Sequence, residues 1–376
     1  SVAAREEERV SKLEREAARQ GLVDAIHDRG SMALKAPKSK NYKLKDFQLL
    51  KIVGRGSMST VFLAKHTGEV RYYAMKAFRK SDLAHSGRVH SLQSEVDILR
   101  VLDSRFILPL ISTMQDSLRV YLVFDHVKGG SLFDLLRTRG RFSEEHMRLY
   151  VCELLVAMEY LHLHSIAHRS IRPESILLSS EGHVRLAGFE FAKQVTDRTF
   201  TCCGAPDYVA PEVLEGKGYG RTVDWWCLGV TCYELLMGFP PFSDRTPFLI
   251  YQRVCRGDYS FHGAKLGDSE KLISQLLVTN RTRRLGGAQA EPFSWARRLK
   301  FFRFVDWAAV RHGQTVAPWV PPQRLSVKPM CRAENPVIDM FEDQEAQVVQ
   351  AADALQVFQD MEEKEREARR RVRGLL

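Results

Sequence analysis

Glycines 54 and 56, Lys76, Glu95 and a polar run at 168–175 are residue types from which a phosphate-handling site is built. Gly54-Arg55-Gly56-Ser57-Met58-Ser59-Thr60-Val61 lies between two strand patterns. Glycines there let backbone amides approach an anion, although a plain hairpin turn explains the pair as well. Lys76 sits in the run Tyr73-Ala74-Met75-Lys76, and Glu95 in a helical pattern from Leu92 to Leu102. They are read as an ion pair, with two separate solvated surface charges as the alternative. Further on stand His168-Arg169-Ser170-Ile171-Arg172-Pro173-Glu174-Ser175 and Gly188-Phe189-Glu190. Ser170 and Ser175 carry no carboxylate, and Gly188 carries no side-chain ligand.

The elements that must position these residues change character along the chain. Strand-like runs come first, at Phe47–Val53, Thr60–Ala64, Tyr72–Ala77 and Arg119–His126. Long helical patterns follow, such as Glu144–Leu163 and Val223–Gly238. A β-rich front and a helical back predict two lobes of an α+β fold. Residues 1–28 read as a charged helix with Val10, Leu13 and Ala17 three and four apart. Residues 29–45 read as a linker, rich in Gly, Pro, Ser and Lys over 30–41. The globular region is expected over 46–304, with a first lobe at about 46–126 and a second at about 127–304. Residues 305–341 are proline rich and read as irregular. Residues 342–376 read as a second charged helix. Its apolar seam of Val348, Ala352, Leu355 and Phe358 ends in a basic stretch, Arg366 to Arg373. That seam is expected to dock on a partner or on the chain's own domain; a solvated helix is the alternative.

The 376 residues, 44% of them hydrophobic, suffice for one large two-lobed domain or two ordinary ones. The net charge of +10 admits nucleic acid, an anionic membrane or acidic protein partners, but no nucleic-acid module is seen and a solvated basic surface is the favoured reading. No apolar run is long enough to span a membrane, and no secretory signal heads the chain. Seven scattered cysteines fit free thiols in a reducing compartment better than disulfides or zinc. A cytoplasmic location is therefore expected.

Together these runs resemble the AGC group of protein kinases, specifically the catalytic domains of the cAMP- or cGMP-dependent kinases, over roughly 46–322. Kinases carry G-x-G-x-x-G-x-V, V-A-I-K, H-R-D-L-x-x-x-N and D-F-G in this order. Further matching runs are Arg198-Thr199-Phe200-Thr201-Cys202-Cys203-Gly204-Ala205-Pro206-Asp207-Tyr208-Val209-Ala210-Pro211-Glu212, Asp224-Trp225-Trp226, Thr282-Arg283-Arg284-Leu285-Gly286 and Val316-Ala317-Pro318-Trp319. The resemblance implies a bilobal kinase fold with an AGC-type tail. It implies nucleotide contacts at Gly54, Gly56, Val61, Ala74, Lys76 and Glu95. It implies structural or regulatory roles for Arg169, Thr201, Glu212, Asp224 and Arg284, with Thr201 a phosphosite that Arg169 would pair with. It also implies spines through Leu99, His168 and Phe189, and through Val61 and Ala74.

The departures from the pattern set the functional expectation. Ser170 stands for the Asp that would accept the substrate proton, Ser175 for an Asn that would hold Mg²⁺, and Gly188 for an Asp that would do the same. Ser59 replaces the third glycine, Arg172 a lysine, Ala205 a threonine and Ser131 an acidic residue, while Glu174 and Glu234 persist. The favoured expectation is a degenerate kinase, a pseudokinase scaffold or binding component. The alternatives are a weakly active or unconventional Ser/Thr kinase, and a purely structural part of a large, for example cytoskeletal, assembly. No cofactor is expected to be required; ATP binding is expected to be weak, and no Mg²⁺ or other metal is expected. Partners are expected to be proteins, engaged through the terminal helices, with cytoskeletal or ciliary association as a setting and no membrane or nucleic-acid contact.

Overall fold

The computed structural model describes residues 42–287 and 295–322. The helices expected over 1–28 and 342–376 lie outside the described residues, as do the rest of the linker and of the 305–341 segment.

Five antiparallel strands form the first lobe: β1 (Phe47–Arg55), β2 (Ser59–His66), β3 (Tyr72–Arg79), β4 (Leu110–Gln115) and β5 (Arg119–Asp125), in the order β1-β2-β3-β5-β4. Alternation along β3 divides its side chains between the two faces of the sheet. Tyr73, Met75 and Ala77 join Phe47, Phe62 and Tyr121 in a small outer core. Ala74 and Phe78 pack in the main core instead. The register sets Gly54 opposite Val61, Val61 opposite Lys76, and Lys76 opposite Leu122. One row across the sheet therefore carries three of the six residues expected at a nucleotide.

Helix α1 (Lys80–His85) leads into α2 (Val89–Val101). Leu92, Glu95, Val96 and Leu99 share the buried face of α2, at the spacing of an amphipathic helix. Glu95 is thus carried inward on an otherwise apolar stripe. The residues just before β1 differ from a linker: Leu44–Asp46 form a 3-10 turn, and the Tyr42 ring meets Phe47 at 5.2 Å and Tyr73 at 5.7 Å.

The second lobe is helical: α3 (Leu132–Arg139), α4 (Glu144–Leu163), α5 (Pro211–Leu214), α6 (Val223–Met237), α7 (Pro247–Arg256) and α8 (Asp268–Leu276). In α6 every residue from Val223 to Leu236 is buried, which explains its lack of a polar stripe. Two small ribbons, β6 (Ile166–Ala167) with β9 (Lys193–Gln194) and β7 (Ile176–Leu178) with β8 (Val184–Leu186), hold the loops between the lobes. The segment read as irregular contains α9 (Trp307–His312), capped by the Asp306 carboxylate, which accepts from the amides of Ala308 and Ala309. Arg311 of α9 pairs with Glu159 of α4 at 2.5 Å. Among the described residues no helix is long and apolar enough to cross a membrane.

Candidate functional site

The cleft begins with the turn between β1 and β2. Gly56 donates its amide to the Ser59 carbonyl at 2.8 Å, which closes the turn. Behind it Lys76 donates to Glu95 Oε1 at 3.1 Å, so the expected ion pair is present. A second carboxylate, Glu190 Oε2, lies 3.6 Å from the same ammonium. Burial works to discharge Lys76, but Glu95 and Glu190 outweigh it and hold its pKa above the ordinary value. Burial likewise pushes the Glu95 carboxyl up, against the pull of Lys76. For Glu190, burial pushes up, and Lys76 with its own amide pulls further down, leaving the carboxyl below its usual range.

The loop after β6 hangs on Asp224. Its Oδ2 accepts from the His168 amide at 2.9 Å and faces His162 Nε2 at 2.8 Å, while Oδ1 accepts from the Arg169 amide at 2.7 Å. These bonds hold Arg169 at φ 64°, a left-handed conformation that a side chain disfavours. His168 meets Phe189 edge to face at 4.7 Å, joining the loop to the next turn. Leu99 and Phe189 are both buried in the main core.

Ser170 and Ser175 are both buried. Ser175 Oγ donates to the carbonyls of Ser170 and Arg172, each at 2.8 Å, and accepts from the Arg172 amide at 3.1 Å. Gly188 adopts φ 76°, and a Cβ there would lie 3.0 Å from Ser175 Cβ. The three altered positions therefore share one spot in the fold. It contains hydroxyls and backbone but no carboxylate from those positions. Among the described residues no group of three or more His, Cys, Asp or Glu could hold a metal ion.

Away from the cleft, Arg284 Nη1 and Nη2 donate to the two oxygens of Glu212, each at 2.7 Å. The guanidinium also lies over the Trp226 ring at 5.1 Å. Thr201 is exposed, and its carbonyl accepts from the Tyr219 hydroxyl. Arg169 reaches that point only through Tyr219, whose hydroxyl it contacts at 2.9 Å, while its Nε donates to the Phe191 carbonyl at 2.6 Å. Arg172 and Glu174 face each other at 3.6 Å. Ser131 caps α3 by accepting from the Asp134 amide. Sequence reasoning missed the contact of Glu190 with Lys76, and the roles of His162 and Tyr219. The Ser131-Leu132-Phe133-Asp134 capping box was readable from its spacing alone.

Comparison with known proteins agrees with this geometry. The protein kinase domain family matches residues 47–296. A human cAMP-dependent protein kinase catalytic subunit, PRKX, is 40% identical over 286 residues, covering 76% of this chain and 80% of the relative. A Dictyostelium discoideum cAMP-dependent catalytic subunit is 36% identical over 291 residues, but the chain spans only 45% of its length. Catalytic subunit 3 of Drosophila melanogaster is 36% identical over 282 residues, again with about half of the relative covered (48%). With this sheet, this ion-paired lysine and these relatives, the chain belongs to the protein kinase family.

Proposed function

We propose that this chain is a kinase-fold protein that acts by binding, a pseudokinase, and not by efficient phosphoryl transfer. One observation carries the reading: Ser170, Ser175 and Gly188 supply hydroxyls and backbone where the family keeps a base and two metal ligands, and the carboxylate near Gly188 comes from Glu190. The turn of Gly54 and Gly56 and the ammonium of Lys76 suit a nucleotide. The residues at 175 and 188 do not suit the family's metal ions, which would neutralise developing phosphate charge. A missing general base alone typically lowers a rate by roughly 10²–10⁴-fold.

A second reading is a weakly active Ser/Thr kinase of the cyclic-nucleotide-dependent type. The relatives are kinases by name, which favours this reading over the first. Lys76–Glu95 is also intact, and Glu174 and Glu234 remain where acidic side chains would meet a basic peptide. Repair separates the two readings. A Ser170→Asp, Ser175→Asn, Gly188→Asp variant is expected to gain peptide phosphorylation over a silent wild type. Wild-type turnover equal to that of the repaired variant supports the second reading. Protein partners engaged through the terminal segments, a role in a cytoskeletal assembly, and phosphorylation of Thr201 are further proposals. Loss of partner capture on deleting 342–376 tests the first of these.

A further inference from the structure

Glu190 is the cleft residue for which the kinase pattern has no place. The family ends the corresponding triplet on glycine, so no side chain is expected there. In this chain position 188 lacks a side chain and position 190 has one. Glu190 Oε2 lies 3.7 Å from where a Cβ on Gly188 would stand, and 3.6 Å from Lys76 Nζ. The carboxylate thus occupies space beside the lysine that a side chain at 188 would approach. Lys76 is left between two carboxylates, one buried (Glu95) and one about a third exposed (Glu190, 35%).

A lysine ammonium has three donors and no acceptor. A phosphate drawn to Lys76 has to share that ammonium with Glu190 and stand close to a like charge. In the family, metal ions bridge the phosphates and offset such repulsion. Ser175 offers a single hydroxyl, already bonded within its loop, and Gly188 has no side chain to hold them. The low pKa of Glu190 keeps its carboxylate charged at neutral pH. A nucleoside without phosphates meets no such opposition.

We propose that Glu190 competes with phosphate for Lys76, so that the cleft selects an uncharged nucleoside over a nucleoside triphosphate. The proposal rests on the reading of this cleft as a nucleotide site. It names Glu190 as a specificity determinant and the neutral nucleoside as the ligand class.

Calorimetric titration of the full chain with adenosine and with ATP, in chelator and then with Mg²⁺, tests it. Adenosine is expected to bind at least as tightly as ATP in chelator. Glu190→Gln keeps the shape and removes the charge, so it is expected to tighten ATP about tenfold and leave adenosine unchanged, with the ATP gain shrinking as salt rises. Glu190→Ala should repeat the gain, and unchanged melting curves would show both variants folded. Three results overturn the proposal: wild type that prefers ATP in chelator, a folded Gln variant with unaltered ATP affinity, or Mg²⁺-dependent ATP binding that the Gln variant loses. The last would make Glu190 a metal ligand. If neither ligand binds wild type or variants, the nucleotide-site reading itself fails and the proposal with it.

Discussion

Ser175 donates its hydroxyl to the Ser170 carbonyl at 2.8 Å, so the side chain of one serine of the altered loop is bonded to the backbone of the other. The same hydroxyl reaches the Arg172 carbonyl and accepts the Arg172 amide. Its one proton is shared between the two carbonyls and one of its lone pairs takes the amide, all within the loop.

Ser175→Ala should therefore destabilise the protein by about 1–3 kcal/mol, because buried backbone groups lose their partner. Urea unfolding of wild type and variant measures this. An unchanged midpoint would show that the hydroxyl does not hold the loop.

Glu212 and Arg284 form a buried, two-pronged pair that ties α5 to the loop after α8. Glu212→Gln leaves a buried guanidinium without its counter-charge, at a cost of roughly 3–5 kcal/mol. Thermal unfolding should show a large drop in midpoint for this variant. A shift no larger than that of an exposed-pair control such as Lys217→Ala would remove the pair from the account.

Glu234 is predicted to make stability depend on pH in a defined direction. Burial, then the charges of Glu174 and Asp207, push its carboxyl up to about 8. In the unfolded chain a glutamate titrates near about 4.3. A raised folded value means that its contribution is fully present below about pH 4 and is lost as pH rises toward about 8. Chemical denaturation across that window should show wild type weakening with pH relative to Glu234→Gln, which keeps an acceptor for the Tyr208 hydroxyl. Parallel curves for the two proteins would contradict the assignment.

Much of this fold was legible because its long elements have clear periods. Helix α4 matches its sequence pattern at both ends, and β1, β2, β3 and β5 fall on the expected runs within a few residues. Strand β4 was missed because Leu110-Ile111-Ser112-Thr113-Met114-Gln115 turns the small polar Ser112 inward, which blurs its alternation. The ribbons β6–β9 and β7–β8 are two or three residues long, too short for any period to show. Pairs such as Lys76 with Glu95 and Glu212 with Arg284 were readable through ordered motifs, not through spacing. Glu190 escaped because its contact with Lys76 depends on how the Gly188 turn folds under the sheet. Nothing in the local sequence marks a glutamate there as anything but a substituted glycine.

This kinase-fold chain is proposed not to transfer phosphate efficiently. Label transfer from ATP to a basic peptide and to the chain itself, with Mg²⁺ and then Mn²⁺, run beside a Lys76→Met variant, measures it most directly. Incorporation is expected to be no greater for wild type than for the variant. Robust incorporation by wild type that disappears in Lys76→Met would contradict it.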